Sequence, residues 1–584
     1  MKADFTPGKH FNSCRLCIYL LAFNCAGLAS ALPAHADPAA ARKAAIASLA
    51  RNLAAIPPGQ QRLLSSAQQR ILRLNSLLTD PRSKFGDNGP TVTISPKIAA
   101  ASVLALAPAD SNDDDTVRVS DPRLDFGNSV MSSFTQSETA SAWCGNTVVV
   151  GYNDSGAFAR TAGVNFLNAW SFSSVSYSRD GGASFTEAGY INPGSNPVNF
   201  LAGDPVVACT SPTQFYYSSI YASGQDSAGN FFNGVAINAS SDGGQTWGPP
   251  VAAVAKDFNH SIDKPWLVAD PTNARRLYVT YTDFDFSGFS ADPTAACPND
   301  IRYAIELVVS NDGGNSWTAP TTVHQECYFS GGLNFVQGSN PAVAADGTLY
   351  VGYEFIPGSV PNNEIHLAKS TDHGVSFVTD VKVSNVWPNG NLGLLQGGFR
   401  NNEFPQVAVD RSSTSTKGTV YVAFSDGAAN IVQDLPVFFG TYAYPDVRVA
   451  RSTDGGTSFS PPVTVSPTPA DFAGRGRDQF FPGVAVDRNG NVGVCYYDRR
   501  QSPDNSRIDR YCARSGDHGT TWSEQRASHA GWVPVHDSDG IINTSYIGDY
   551  DAVSSDFLLR RGGFFSSFEV QTSGNPDVVS YRLH

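Results

Sequence analysis

One eight-residue pattern, Ser-x-Asp-x-Gly-x-x-aromatic, occurs six times in this chain of 584 residues. Its copies start 62, 70, 60, 82 and 63 residues apart, at Ser178, Ser240, Ser310, Ser370, Ser452 and Ser515. The Asp carboxylate can accept hydrogen bonds from backbone N–H groups of a turn, and the Gly can adopt a positive φ without steric cost. Six such turns at this spacing predict a repeat whose unit is one small antiparallel sheet.

Seven strand pairs accompany these turns. Each begins with an acidic or amide residue, often beside Pro, followed by alternating apolar residues, a turn and an aromatic-rich strand. These second strands are TVVVGYND, FYYSSIY, LYVTYTD, LYVGYEF, VYVAFSD, VGVCYYD and GGFFSSFE. The fold expected is therefore all-β: a seven-bladed β-propeller preceded by a short helical segment. A six-bladed ring with an irregular terminal piece is the alternative.

The last unit stops at its third strand, VVSYRL, with no turn motif and no fourth strand. The segment 116–120, TVRVS, resembles the fourth-strand segments VKVS and VTVS that follow the fourth and fifth turns. We expect it to supply the missing strand, because joining both ends of the repeat in one blade closes the ring and removes exposed sheet edges.

The first 36 residues are typical of an export signal. Lys2, Lys9 and Arg15 give a positive start, an apolar stretch follows, and Ala34-His35-Ala36 fits a small-x-small cleavage site. The apolar stretch is too short and interrupted for a membrane span. We therefore expect a secreted protein, periplasmic or extracellular, with cleavage near Ala36.

The remaining chain divides by composition. An Ala-rich stretch, Pro57-Pro58-Gly59 and a second stretch with an apolar stripe predict a helical hairpin. A segment without periodicity, ending in Asp113-Asp114-Asp115, predicts a linker. The predicted organisation is a signal peptide at 1–36, a helical hairpin at 37–79, a linker at 80–115 and the propeller at 116–584.

Six cysteines follow the predicted signal peptide, and an even number in an exported chain favours disulfides. Cys144 and Cys209 occupy matching positions in adjacent units, and Cys495 and Cys512 lie on adjacent strands of one unit. The predicted pairs are Cys144–Cys209, Cys297–Cys327 and Cys495–Cys512.

A formal net charge of −13 argues against nucleic acid or an anionic membrane as the main partner. The mature chain has no CxxC pair and no His/Cys cluster, so no zinc site is predicted. We expect a monomer.

The six turn motifs are Asp-boxes, and through them the chain resembles the sialidase superfamily of propellers over most of residues 116–584. The resemblance implies the fold, because the same scaffold carries hydrolases, lyases and binding proteins. In sialidases three arginines clamp the substrate carboxylate, a Tyr paired with a Glu is the nucleophile, and an Asp is the acid/base. The first clamp arginine lies in an Arg-Ile-Pro motif that this chain lacks, so the resemblance assigns no site residue.

The repeat itself indicates where a site can lie. Loops that enter the first strand and leave the second strand of every blade share one face around the axis. The acidic residues before or in the first strands are Glu138, Asp204, Asp263, Glu403, Asp478 and Asp549. Those that end the second strands are Asp154, Asp283, Glu354, Asp426, Asp498 and Glu569.

Paired carboxylates near an axis are what cleavage of a glycosidic bond requires. The predicted catalytic residues are Glu403 and Asp549, with Asp263 third and Tyr550 the nearest Tyr. Arg400, Arg477 and Arg499 are predicted to hold an anionic group of a glycan or glycoconjugate. The predicted function is a secreted glycoside hydrolase of sialidase-like type acting on an exposed glycan.

Several alternatives remain open at this point. The acids can serve only to cap turns or form salt bridges, and an acidic ring can also hold Ca²⁺, although no cofactor is assigned. A non-catalytic propeller that binds a glycan or protein is a second function. A polysaccharide lyase, with a Tyr or His base and an Arg or metal against a uronate, is a third.

Overall fold

A computed structural model describes residues 116–584 except 125–134, 163–168, 197–198, 226–230, 258, 290–294, 360–361, 391–393, 428–430, 434–440, 466, 468–475, 535–546 and 572–575. It also describes eight helical residues before them: Ala47, Ala50, Arg51, Leu53, Ala54, Leu72, Asn75 and Ser76. The predicted signal peptide and linker lie outside the described residues.

Seven antiparallel blades make up the fold, as predicted, and each has four strands in its ladder. Blade 1 contains β2 (Gln136–Cys144), β3 (Thr147–Asp154), β5 (Ser173–Ser178) and β6 (Thr186–Tyr190). Blade 2 contains β7 (Phe200–Cys209), β8 (Phe215–Gln225), β9 (Phe231–Ser240) and β10 (Val251–Lys256), with the short β4 (Trp170–Ser171) added in parallel beside β7. Blade 3 contains β11 (His260–Ala269), β12 (Leu277–Asp285), β13 (Arg302–Ser310) and β14 (Thr321–Cys327).

The remaining blades repeat this order. Blade 4 contains β15 (Phe335–Val343), β16 (Leu349–Ile356), β17 (Asn363–Ser370) and β18 (Thr379–Val386). Blade 5 contains β19 (Gln406–Val409), β20 (Val420–Asp426), β23 (Asp446–Ser452) and β24 (Val463–Thr464). Blade 6 contains β25 (Gln479–Val486), β26 (Val492–Asp498), β27 (Asp509–Ser515) and β28 (Ser523–Arg526). Blade 7 contains β29 (Val553–Ser554), β30 (Phe564–Val570), β31 (Asp577–Leu583) and β1 (Thr116–Arg118).

Few elements lie outside the blades. One helix, α1 (Ser155–Ala162), follows β3, and a hairpin of β21 (Ile431–Gln433) and β22 (Thr441–Ala443) extends from blade 5. Two 3₁₀ turns span Pro122–Leu124 and Ser287–Phe289. No helix in the described part of the chain is long and apolar enough to cross a membrane.

The first strand of each blade touches the first strands of its neighbours, and blade 7 contacts blade 1, so the blades form a closed ring. The predicted seam is confirmed: β1 pairs antiparallel with β31, with Thr116 opposite Tyr581 and Arg118 opposite Val579. Arg118 also donates to Asp577 at 2.9 Å. The fourth strand of the last blade therefore comes from the start of the repeat.

Apolar side chains on facing blades form the core. Val235 and Ile237 of β9 pack in one cluster with Leu267 of β11 and with Leu277 and Val279 of β12. All five are buried, and each such side chain contributes roughly 1.5–3 kcal/mol. The first strands differ from this pattern, because many of their buried side chains are polar. That polarity concentrates hydrogen-bonding groups near the axis.

The six turn motifs have one geometry, shown by the first. Ser178 Oγ donates to Asp180 at 2.7 Å, and Asp180 also accepts from the backbone N–H groups of Ala183 and Ser184 at 3.0 and 2.9 Å. These donors outweigh partial burial and lower the pKa of Asp180 to about 2. The Gly at the fifth position of each turn lies against the core; at Gly374 (φ +86°), an added Cβ would come 2.4 Å from Leu307 of blade 3. The turns are structural.

All three predicted disulfides are confirmed. Cys144–Cys209 joins blades 1 and 2, Cys495–Cys512 joins adjacent strands of blade 6, and Cys297–Cys327 ties the loop before β13 to the end of β14. Cys144–Cys209 was predictable because equivalent residues of neighbouring blades lie side by side, and Cys495–Cys512 because the two residues face each other on adjacent strands. The third pair consists of the two remaining cysteines.

The described residues of the predicted hairpin are helical. Ala50 and Leu53 are buried and belong to one cluster with Trp170 and Phe172, and Leu72 packs against the same cluster. The helical segment therefore contacts the propeller; the hairpin itself stays a prediction.

Candidate functional site

A β-bulge interrupts the first strand in five of the blades. In blades 1, 2 and 3 the bulged residue has a positive φ and carries a charge: Glu138 (φ 52°), Asp204 (φ 55°) and Lys264 (φ 47°). Bulges re-aim side chains out of the ladder. Here they bring three charged groups from three neighbouring blades together.

Lys264 is the centre of the resulting group. Its Nζ lies 2.5 Å from Asp549 Oδ2, 3.6 Å from Glu138 Oε1 and 3.9 Å from Asp204 Oδ2. Burial disfavours the ammonium charge, but these carboxylates, with Asp263, raise the pKa of Lys264 above its usual value. One lysine from blade 3 thus contacts acids of blades 1, 2 and 7.

Asp549 joins a second cation to this group. Arg400 Nη2 donates to Asp549 Oδ2 at 2.5 Å, and Asn402 Nδ2 donates to the Asp549 backbone carbonyl at 3.1 Å. Burial raises the pKa of Asp549, while Arg400 and Lys264 oppose that rise. We call the group of Glu138, Asp204, Asp263, Lys264, Arg400, Asn402 and Asp549 the axial cluster.

The residue before Asp549 explains how blade 7 approaches blade 1. Gly548 has φ +96°, and a Cβ there would come 3.2 Å from the backbone N of Glu138. A side chain at this φ would be strained, and it would also press against Glu138. This contact brings Asp549 beside Glu138, and their proximity also raises the pKa of Asp549.

Asp263 lies one position away from the place expected for it. The sequence pattern aligned it with Glu138 and Asp204, but the bulge puts Lys264 at that position. Asp263 instead accepts from Gln337 Nε2 at 2.5 Å and from the backbone N–H of Lys264 at 3.0 Å. Asp263 therefore stabilises the bulge through its bond to the backbone of Lys264, and it adds a negative charge beside the Lys264 ammonium.

Tyr550 packs beneath Lys264. The Nζ of Lys264 lies 5.0 Å from the Tyr550 ring centroid, and the ring makes an edge contact with Trp266 at 5.2 Å. Its hydroxyl donates to the carbonyl of Pro205 at 2.9 Å. The structure brings the predicted tyrosine to the cluster, with its hydroxyl engaged by blade 2.

Glu403 lies in the same segment as Arg400 and Asn402. Its Oε1 accepts from the backbone N–H of Asn389 at 2.7 Å, and its Oε2 faces Asn363 Nδ2 at 3.4 Å. Glu403 is buried, and amide donors hold its carboxylate on the side of blades 4 and 5.

The other two predicted arginines lie in a separate group. Arg499 donates to Gln396 O at 2.8 Å and to Asp478 at 3.1 Å, with its guanidinium 4.7 Å from the Phe399 ring centroid. Arg477 donates to three backbone carbonyls, those of Gly476, Ser502 and Pro503. Both hold loops together and contact no member of the axial cluster in the described structure.

The members of the axial cluster are all buried but differ slightly in exposure. Arg400 and Asn402 are 7% exposed and Asp549 is 4% exposed, whereas Glu138 and Asp204 are fully buried. The segment 400–402 and Asp549 therefore form its outer side.

A second buried group of acids, which the sequence analysis missed as a set, lies beside the first. Asp551 accepts from Thr139 N and Oγ1 at 3.1 and 2.8 Å, and Glu569 accepts from Gln571 at 2.5 Å. Burial, together with Asp551 and Glu138, raises the pKa of Glu569 well above its usual value. The signal in the sequence from which this group could have been predicted is Glu569, the acidic residue that ends GGFFSSFE.

One group has the donor set of a metal site. His260, Asp283 and Asp285 place ligand atoms within 4.8 Å of one another. However, Lys256 Nζ lies 2.5 Å from Asp283 and 2.6 Å from Glu306, so a cation already neutralises these carboxylates. The group does not fit a Ca²⁺ site, which needs six to eight oxygen ligands.

Comparisons with known proteins found no matching family model and no matching curated relative. Solved structures do match. The Hadza microbial sialidase Hz136 is 13% identical with a TM-score of 0.39, covering 65% of each chain. An α-L-arabinanase of Penicillium chrysogenum is 12% identical with a TM-score of 0.41, covering 65% of this chain and 93% of that one. A Trypanosoma rangeli sialidase is 11% identical with a TM-score of 0.37, covering 82% and 60%.

This chain thus spans about two thirds of the length of the Hz136 sialidase.

Proposed function

We propose that this chain is an exported glycoside hydrolase whose chemistry takes place on the outer side of the axial cluster. The observation that carries the proposal is the convergence on Lys264 of carboxylates from three other blades. Glycosidic bond cleavage needs two carboxyl groups on either side of the bond. Convergence at the axis offers such groups from distant parts of one chain.

Glu403 and Asp549 are the proposed pair. Asp549 lies between Arg400 and Lys264, each at 2.5 Å, so its oxygens have a fixed direction. Glu403 accepts a hydrogen bond from the backbone N–H of Asn389 at 2.7 Å. Fixed carboxylates on different segments suit an acid/base and a nucleophile or second base, because catalysis depends on positioning both before the substrate arrives.

The remaining cluster residues have supporting roles in this proposal. Lys264 keeps Asp549 close to Glu138 and Asp204 despite their like charges, and Tyr550 packs against the Lys264 ammonium. Arg400 orients the Asp549 carboxylate. A carboxyl separation of about 5 Å in the substrate complex gives retention of configuration, and roughly 6.5–9.5 Å gives inversion.

The test is hydrolysis of a panel of fluorogenic glycosides by the purified mature protein. Glu403→Gln preserves shape and removes the charge, so we expect kcat to fall at least about 100-fold. The protein should stay folded, with the free energy of unfolding lowered by no more than about 1–3 kcal/mol, because Gln can accept only one of the two amide hydrogen bonds. Glu364→Gln, on β17, the third strand of blade 4, is the matched control and should retain full activity. NMR of the first product would give its anomeric configuration.

Full activity of Glu403→Gln would contradict the assigned pair. Absence of hydrolysis across the whole panel by the wild-type protein would contradict the function itself.

A non-catalytic glycan-binding propeller is the second candidate. The specific observation in its favour is that every charged member of the axial cluster is more than nine-tenths buried and already in contact with other protein groups. In that case Glu403→Gln would change stability rather than turnover, and glycan binding without product formation would identify it.

A further inference from the structure

Two arginines of blade 7 converge on the turn motif of blade 1, away from the axial cluster. Glu138 of that cluster lies near the start of β2, whereas this group lies at the other end of the same strand. The guanidinium of Arg582, on β31, is 5.3 Å from the ring centroid of Trp143. Arg561 Nη2 donates to Asn146 Oδ1, just after β2. We call Arg561 and Arg582 the arginine pair.

Both guanidinium groups face one open point. A Cβ at Gly181, in the first turn motif, would come 3.4 Å from Arg561 Nη1 and 3.9 Å from Arg582 Nη1. Gly181 has no side chain to fill this point, and Asn146 and Asp180 beside it are exposed. The two nitrogens are therefore accessible to solvent and close enough to donate to a single anion.

Arg582 is poorly compensated by the protein. Its Nε is shielded from solvent and has no hydrogen-bond partner in the described part of the chain. Burial and the neighbouring Arg561 lower the pKa of Arg582, while Asp180 opposes that shift. The Asp180 carboxylate already accepts from Ser178 and from two backbone N–H groups of its own turn. A bound anion would supply both the missing acceptor and the missing charge.

Equivalent positions in blades 4 and 5 show the contrast. Three cations lie on third strands, each opposite the second residue of the neighbouring second strand: Lys369 opposite Tyr350, Arg451 opposite Tyr421, and Arg582 opposite Phe565. Lys369 Nζ donates to the Gly455 carbonyl of blade 5 at 2.8 Å. Arg451 Nη1 donates to the His518 carbonyl of blade 6 at 2.6 Å. These two side chains bind the turn of the next blade, and Arg582 makes no such bond in the described structure.

We propose that the arginine pair binds a phosphate or sulfate group. A guanidinium presents two parallel N–H groups that match two oxygens of such an anion. A tetrahedral anion has oxygens in three dimensions, so it can accept from both guanidinium groups at once, whereas a carboxylate has only two oxygens in one plane. The bound anion would lie between blades 7 and 1 and would offset the repulsion between the two arginines.

The first experiment titrates sodium phosphate, sodium sulfate and sodium acetate into the purified mature protein by calorimetry at constant ionic strength. We expect phosphate and sulfate to bind at least about 10-fold more tightly than acetate, because they can bridge the two arginines. Acetate binding as tightly as phosphate and sulfate, or no binding by either of these two anions, would overturn the inference.

Matched arginine variants locate the site. Arg561→Gln and Arg582→Gln should each raise the Kd for phosphate at least about 10-fold, because each removes one of the two donors. Arg275→Gln removes an exposed arginine from blade 3 and should leave the Kd unchanged. Unchanged Kd values in both Arg561→Gln and Arg582→Gln would overturn the assignment.

Urea unfolding separates binding from a structural role. In chloride buffer, Arg451→Gln should lower the unfolding midpoint, because it loses the bond to the His518 carbonyl. Arg582→Gln should not lower it, because it removes a like charge from Arg561. Phosphate should raise the midpoint of the wild type more than that of Arg582→Gln. If Arg582→Gln were as destabilised in chloride as Arg451→Gln, Arg582 would be structural and the inference would fail.

The source of the anion is tested by repeating the titration with a sulfated disaccharide and a sugar phosphate. Tighter binding of these esters than of the inorganic ions would support a site for an anionic group on a glycan, and the reverse would support a site for the free ion. Glu403→Gln should bind phosphate as the wild type does. The anion site is therefore tested independently of the proposed hydrolase.

Discussion

Lys264 shows how a single side chain can hold several blades together. It is contributed by blade 3, yet its three carboxylate partners lie in blades 1, 2 and 7. The cost of burying this ammonium is offset only while those carboxylates stay close. Lys264 is therefore part of the candidate site, and it also links three other blades through ion pairs near the axis.

Replacing Lys264 with Met should lower the free energy of unfolding by about 3–5 kcal/mol, because it leaves buried carboxylates without their cation. Urea unfolding followed by tryptophan fluorescence measures the change. Lys417→Met, at an exposed position, serves as the control and should have little effect. Adding Glu138→Gln to Lys264→Met should recover part of the loss, and no recovery would contradict this account of the coupling.

The same position marks the limit of sequence-based prediction at this scale. Asp263 and Lys264 are consecutive, and both precede Pro265, so the pattern alone could not decide which one aligns with Glu138 and Asp204. In the structure Lys264 takes that place, because it is the bulge residue and has a positive φ. Such a φ is unusual for lysine, so the sequence did not predict it. The partners of Glu403 were equally hidden, because Asn389 and Asn363 belong to other segments.

At the scale of the blade, two histidines lie where blades 3 and 4 meet, a contact that we call the joint between these blades. His324 of β14 and His366 of β17 both contact Asp380 of β18, through Nδ1 atoms at 3.4 and 3.0 Å. Glu326, Glu364 and Lys382 flank them, and the Tyr353 ring lies between the two imidazoles. The outer strand of blade 3 is thus tied to blade 4 by ionisable groups.

The contacts of His366 in this joint predict that the free energy of unfolding depends on pH. Burial opposes protonation of His366, but Asp380 and Glu364 raise its pKa above the usual value. A raised folded pKa adds stability that is complete below about pH 6.5, the unfolded value, and is lost as the pH rises through the folded pKa. His366→Gln should therefore cost roughly 1.5–3 kcal/mol near pH 5.5 and much less near pH 9.

The measurement is thermal or urea unfolding of the wild type and His366→Gln at both pH values. His373→Gln, on the exposed turn of the same blade, is the control. A cost that stays the same at high pH would show that the imidazole acts by packing and not by charge.

At the scale of the whole molecule, the ring depends on the seam between β1 and β31. Besides the ladder, the backbone N–H of Val119 donates to Val578 O at 2.9 Å, and Val119 is buried. The seam was predictable, as were the blade number and the disulfide between blades 1 and 2, because all three follow from the period of the repeat. The contacts at the axis were predictable only in part: the repeat aligns Glu138, Asp204 and Asp549, but it gives neither the bulge that puts Lys264 in the place of Asp263 nor the contact of Arg400 with Asp549.

Val119→Pro should destabilise the protein by about 3 kcal/mol, because it removes the bond to Val578 and places a proline in a paired segment. Val119→Ala separates the backbone effect from the loss of the side chain and should cost less. Scanning calorimetry gives both values. Equal losses in the two variants would mean that the seam contributes through packing alone.

The antiparallel seam also decides how the molecule would respond to mechanical load. Because Thr116 lies opposite Tyr581, the start of β1 and the end of β31 emerge at the same end of the ladder. Tension applied between these points would separate the two strands one hydrogen bond at a time, as in unzipping, instead of shearing all of them together. The ring would therefore open at low force when pulled from this one place.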